Sequence, residues 1–191
     1  MKATVLGVAI NDATYKVQPR INGKKVVCIF YQKWQSMLER CYNKKYQESK
    51  PSYIGCTVCE EWVTFSNFKM WMEAQDWHGK VLDKDILVVG NKIYSPETCV
   101  FVTPETNGFT NDHKAARGEC PTGVCWHNSK RKFESHCSNP FTKKYEHLGV
   151  FDCQNEAHSA WRKRKHELAC ELADLQSDNR VAEALRVRYN S

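Results

Sequence analysis

Apolar residues recur at helical spacing in three parts of this chain and alternate at strand spacing between them. Phe30, Trp34, Met37, Leu38 and Cys41 share one helical face, while Gln32, Lys33, Glu39 and Arg40 fall off it, which predicts a helix from Phe30. A loop rich in Lys, Ser, Pro and Gly runs from Lys44 to Gly55. Trp62, Phe65, Phe68 and Trp71 then recur every three residues. Such a stripe reads as a helix buried against a core rather than as a base-stacking surface. The stretch LDKDILVVGNKIYSPETCVFV, from Leu82 to Val102, reads as two short strands joined by a loop. Further on, strand-like runs at 123–127, 132–137 and 145–151 are separated by Asn128-Ser129 and Asn139-Pro140. From Asn155 a long helix is expected, with Ala157, Trp161, Leu168, Leu172 and Leu175 as its apolar stripe. Residues 1–27, with turn signals at Asn11-Asp12 and Asn22-Gly23, read as an irregular arm or one hairpin.

Between Thr103 and Gly118 the composition shifts to Asn, Gly, Thr, Asp, His and Lys, as in a short helix start followed by a linker. The chain, 191 residues long, therefore divides into a domain over 1–110, a linker over 111–120 and a second domain over 121–191. Its class is α+β.

Composition narrows the partners. No apolar run approaches the length that spans a bilayer, so no membrane role is expected. Residues Met1 to Ile10 lack a secretory pattern, which points to the cytoplasm, where the ten cysteines would stay reduced. The net charge of +6 and pI of about 8.7 favour a polyanion.

The front helix, Cys56-Thr57-Val58-Cys59-Glu60-Glu61-Trp62, the aromatic helix and then LDKDI…GN…YSPETCVFV…N resemble the HNH-type endonucleases common in bacteriophages and among free-standing homing enzymes. The likeness covers roughly residues 28–110. It implies a ββα-metal fold in which a hairpin and a helix hold one Mg²⁺ or Mn²⁺ against the scissile phosphate while a base activates water. Asp83, Asp85 and Asn107 would then be the oxygen ligands, and Asn91 the residue that fixes the loop. Two residues apart on an extended strand, Asp83 and Asp85 would point the same way and Lys84 oppositely. The family's base, a histidine ending the first strand, has no counterpart in LDKDI, and His78 and His113 are the nearest substitutes. The simpler reading of each is a surface or partly buried histidine.

Cys56 and Cys59 form a single CxxC; a structural Zn²⁺ would need a second pair, for which Cys41 and Cys99 are candidates without CxxC spacing of their own. The simpler reading is buried, reduced thiols.

Gly123-Val124-Cys125-Trp126-His127, Lys132-Phe133, His147-Leu148-Gly149-Val150-Phe151-Asp152 and Glu156-Ala157 resemble the Apetala-type DNA-binding domain, which also follows HNH domains in phage enzymes. The resemblance implies a three-stranded antiparallel sheet packed on a C-terminal helix, reading double-stranded DNA in the major groove. Alternation sets Lys132, Glu134 and His136 outward and Phe133, Ser135 and Cys137 inward. His127, Tyr145 and His147 join the outward set, and Lys130, Arg131, Lys143 and Lys144 lie in or beside the loops, suited to phosphates. Cys120, Cys125, Cys137 and Cys153 read as packing residues. Arg162 to Lys165 reads as a solvated helix face or a second DNA contact. From Gly118 to Cys170 there are nine Lys/Arg against six Asp/Glu, so arrangement matters more than total charge.

The expected function is a DNA-binding, divalent-metal-dependent endonuclease or nickase whose second domain selects the site, acting on no small molecule. The alternative is a catalytically inactive descendant, a sequence-specific repressor. An RNA-binding or protein-interaction module is a third reading.

Overall fold

The computed structural model describes residues 3–111 and 119–190. The fold is α+β, built from two compact units, Met1–Val102 and Thr103–Ser191.

The first unit opens with two hairpins, β1 (Ala3–Val5) with β2 (Ala9–Asn11) and β3 (Arg20–Ile21) with β4 (Lys24–Lys25). The second turns through Asn22-Gly23, both at positive φ, the conformation that tight hairpin turns require. Two hairpins thus form where the sequence predicted an arm or a single one. Helix α1 (Ile29–Tyr42) buries Tyr31, Trp34, Met37, Leu38 and Cys41. A short α2 (Lys44–Ser49) follows, then strand β5 (Thr57–Val58), a 3₁₀ turn at Glu61–Val63, and α3 (Phe65–Glu73). Asp12 caps α3 from a distance, its carboxylate accepting from the Ser66 N–H and hydroxyl.

The aromatic stripe lies in the core: Trp62, Phe65 and Phe68 are buried, and Trp34 donates its indole N–H to the Trp62 carbonyl at 2.7 Å. Edge-to-face and tilted contacts link Tyr31, Trp34, Phe65, Trp62, Phe68 and Trp71.

The front hairpin differs from its expected form. Strand β6 (Val81–Asp83) pairs antiparallel with β8 (Val100–Val102), while β7 (Ile93–Tyr94) pairs in parallel with β5. The stretch from β6 to β8 thus contributes to two separate ladders rather than to one hairpin.

The second unit begins with α4 (Pro104–Thr110), capped by the Thr103 side chain. Strands β9 (Val124–His127), β10 (Lys132–Ser138) and β11 (Tyr145–Phe151) form an antiparallel sheet in the order β11-β10-β9, and α5 (Gln154–Ala173) packs on it. The expected single long helix is two. Asp178 accepts from the Arg180 N–H and starts α6 (Asn179–Arg188), which packs against α5. Leu175, expected in the apolar stripe, lies beyond the end of α5 and is exposed.

The division between units falls at 102/103, ahead of the 111–120 segment, because α4 packs within the second unit: Lys165 of α5 donates to the Phe109 carbonyl and its ammonium lies over the Phe109 ring. Residues 112–118 lie outside the described residues. Among the described residues, no helix is long and apolar enough to cross a membrane.

Candidate functional site

The side chains singled out from the sequence fall into two sets, Asp83, Asp85 and Asn91 in the first unit and those of the sheet in the second. In the first, Asp83 ends β6 because its carboxylate turns the chain: Oδ1 accepts from the N–H groups of Asp85 and Ile86, each at 2.7 Å. Asp85 therefore lies in a bend rather than on an extended strand, and the two carboxylates are not neighbours on one strand face. Lys84 does not stay on the opposite side. It is 4% exposed, yet its ammonium returns to within 2.7 Å of both Asp85 oxygens and donates to the Asn91 carbonyl at 2.6 Å. Asn91 ties the loop together, donating to the Lys84 and Ile93 carbonyls and accepting from the Ile93 N–H.

This arrangement engages much of the oxygen set that a Mg²⁺ or Mn²⁺ ion would need. A hard divalent cation needs carboxylate oxygens free to replace its water. Here one Asp83 oxygen holds two amides, and the Asp85 charge is already met by an internal ammonium. Asn107 belongs to α4, in the second unit. Burial raises Asp83 above the usual carboxylate range, against the lowering effect of its two amide donors. His78 is exposed and stacks on Trp77, with ring centroids 3.7 Å apart. His113 lies outside the described residues.

Cys41, Cys56 and Cys99 are buried and Cys59 half-buried. Burial pushes Cys41 and Cys99 up to about 12, which keeps these thiols protonated. Among the described residues, no three of the four sulfurs come within metal-ligating reach of one another.

In the second unit the sheet pairings set the two faces. Phe133 pairs with Trp126 and Phe151, and Ser135 with Val124 and Gly149, so these share one face with Cys137, the face on which α5 packs. The other carries Cys125, His127, Lys132, Glu134, His136, Tyr145 and His147. Tyr145 is 81% exposed.

Glu134 is the hub of this outer face. Lys130 donates to it at 2.9 Å, and the Nε2 atoms of His127, His136 and His147 lie 3.6, 3.6 and 3.8 Å from its oxygens. The Lys130 hydrogen bond, with the imidazoles, holds Glu134 below the usual carboxylate range. Lys132 pairs with Asp152 at 2.9 Å. Arg131 and Lys143 hold left-handed backbone conformations at the two hairpin loops, and Lys143 and Lys144 are exposed. The Asn139 carboxamide closes the second loop by accepting from the N–H groups of Phe141 and Thr142.

The Arg162–Lys165 run is neither a solvated face nor uniformly available to DNA. Arg164 pairs with Glu146 at 2.7 Å, and with help from Asn139 it holds Glu146 down to about 2. Lys165 is buried, and burial lowers its ammonium to about 8. Together with Glu105, Phe109, Asn139 and Lys143 it lines a cavity of about 320 Å³. Helical periodicity scores any lysine as polar, so nothing in the pattern singles out Lys165. No family model, curated protein or solved structure matches the chain.

Proposed function

We propose that the chain is a sequence-specific double-stranded-DNA-binding protein of the repressor kind, with the second unit's sheet as its reader. One observation carries this reading: the sheet packs one face on α5 and turns the other, with its imidazoles, a phenol and lysines, toward solvent between two basic loops. A two- or three-stranded ribbon fits the major groove, where imidazole and hydroxyl groups meet base edges. Lys132, Arg131, Lys143 and Lys144 suit flanking phosphates. Electrophoretic mobility shifts on duplex DNA from the protein's own genomic neighbourhood, repeated across salt concentrations, test it. Binding should weaken steeply with salt, and each of Arg131→Ala, Lys143→Ala and Lys144→Ala should reduce the salt slope by about 1. His136→Ala or His147→Ala should relax sequence preference instead. Binding that ignores all five substitutions removes the sheet from the interface.

The endonuclease reading keeps one supporting observation, the half-buried Asp83 carboxyl. A raised pKa moves a carboxylate toward the range a general base needs. Nicking of supercoiled DNA in Mg²⁺ or Mn²⁺, abolished by Asp83→Ala, Asp85→Ala or Asn107→Ala with binding intact, would establish it. Selective binding without cleavage in either metal leaves the repressor.

A further inference from the structure

The outer face of the sheet gathers a second set of ligand atoms. Glu134 on β10 lies directly across from Cys125 on β9, and His136 on β10 directly across from His147 on β11. Opposed side chains on one face of an antiparallel pair start about 4.5–5.5 Å apart at Cβ, and residues two apart on a strand project to the same side. A β-bulge completes the square. The register shifts between Ser135 and His136, so that His147 opposes His136; an unbroken ladder continuing from Ser135 and Gly149 would set Leu148 there.

The side chains converge as the backbone suggests. The Cys125 sulfur, a Glu134 oxygen and a His136 ring nitrogen all lie within 4.8 Å of one another. Glu134 Oε2 is 3.6 Å from His136 Nε2, Glu134 Oε1 is 3.8 Å from His147 Nε2, and the two imidazoles lie 5.1 Å apart between centroids. A tetrahedral Zn²⁺ with bonds of about 2.0–2.3 Å holds its ligand atoms roughly 3.3–3.8 Å apart. Cys125, Glu134 and His136 already form a mutually close set, and His147, which lies near Glu134 but outside that set, joins it by turning its ring toward His136.

We propose that Cys125, Glu134, His136 and His147 form a binding site for Zn²⁺ on the outer face of the sheet. One sulfur and two imidazoles select a borderline-soft metal over Mg²⁺ or Ca²⁺, which take oxygen ligands. His127 supports the site without ligating. Its Nδ1 accepts from the Lys130 N–H at 3.3 Å, which puts the proton on Nε2, facing Glu134 Oε1 at 3.6 Å. Lys130 holds Glu134 Oε1 at 2.9 Å and keeps it while the metal takes Oε2. On binding, the Cys125 thiol releases its proton to solvent as the sulfur–metal bond forms, and no redox change occurs. The site shares His136 and His147 with the proposed reading face, and a cation there would offset the Glu134 carboxylate at its centre; metal binding is measured without DNA, so its outcome does not depend on the DNA-binding reading.

The full chain, stripped of metal and kept reduced, is titrated with Co²⁺ and then with Zn²⁺. One equivalent of Co²⁺ should bind with tetrahedral ligand-field bands and a thiolate-to-cobalt charge-transfer band, and Zn²⁺ should bleach both. Cys125→Ser should remove the charge-transfer band. His136→Gln and His147→Gln should keep the thiol but weaken Co²⁺ by on the order of ten-fold or more. Cys56→Ser should change nothing. Circular dichroism confirms that each variant retains the sheet, and the two histidine variants carry the test if Cys125→Ser does not fold. Absence of the charge-transfer band in the wild type, its survival in Cys125→Ser, its loss in Cys56→Ser, or unchanged affinity in both histidine variants overturns the assignment.

Discussion

Gly123 precedes β9 at a φ of +78°, and a Cβ built there would meet the Trp161 indole at 2.1 Å. Its carbonyl accepts from the His136 N–H, so the backbone cannot simply back away from α5. Two penalties therefore add in Gly123→Ala, a left-handed backbone and an overpacked contact. Together they should destabilise the second unit by roughly 2–4 kcal/mol, measured as a lowered urea midpoint in the tryptophan signal. The sequence placed Gly123 at the head of the first strand of the sheet, but nothing in the hydropathy pattern set an indole against it. The same holds at Asp83. Its place on a strand was readable, whereas its capping of two amides, which ends the strand there and removes Asp85 from it, depends on the path of the following residues.

At the scale of elements, the strands of the second unit were legible to within about a residue, because alternation over seven positions constrains a half-buried strand strongly. Helix α5 was legible in position but not in function. Lys165 lies in its apolar stripe, its ammonium 3.4 Å from the Phe109 ring centroid and bonded to the Phe109 carbonyl. Burial lowers its pKa from 10.5 to about 8, so between those values the unfolded chain binds more protons than the folded one. Stability should then rise as pH rises from about 8 to 10.5, and the gain should disappear as pH falls through about 8. Lys165→Met should flatten this rise relative to wild type, read from denaturation midpoints at pH 7.5, 9 and 10.5. An equal slope in both proteins would contradict a buried charge at this position.

For the whole molecule, the decisive feature is where one unit ends. Composition pointed to 111–120, yet α4 packs with the unit that follows it. A fragment covering 103–191 should therefore be more stable than one covering 111–191. The difference should be at least the burial of Phe109, roughly 1.5–3 kcal/mol, seen as a shift in urea midpoint between the two fragments. Equal midpoints would return α4 to the first unit. The first helix, the aromatic core around Trp34 and the two-faced sheet were present in the order of residues, because periods of 3.6 and 2 record which side of an element is buried. Tertiary structure alone decided that the Lys84 ammonium meets Asp85, that α4 covers Lys165, and that a bulge brings His147 opposite His136 beside Glu134 and Cys125. The first turns on the path of the loop that folds Lys84 back onto its neighbour, and the other two on contacts distant in sequence or a one-residue change of register, none of which a local pattern of polar and apolar residues encodes.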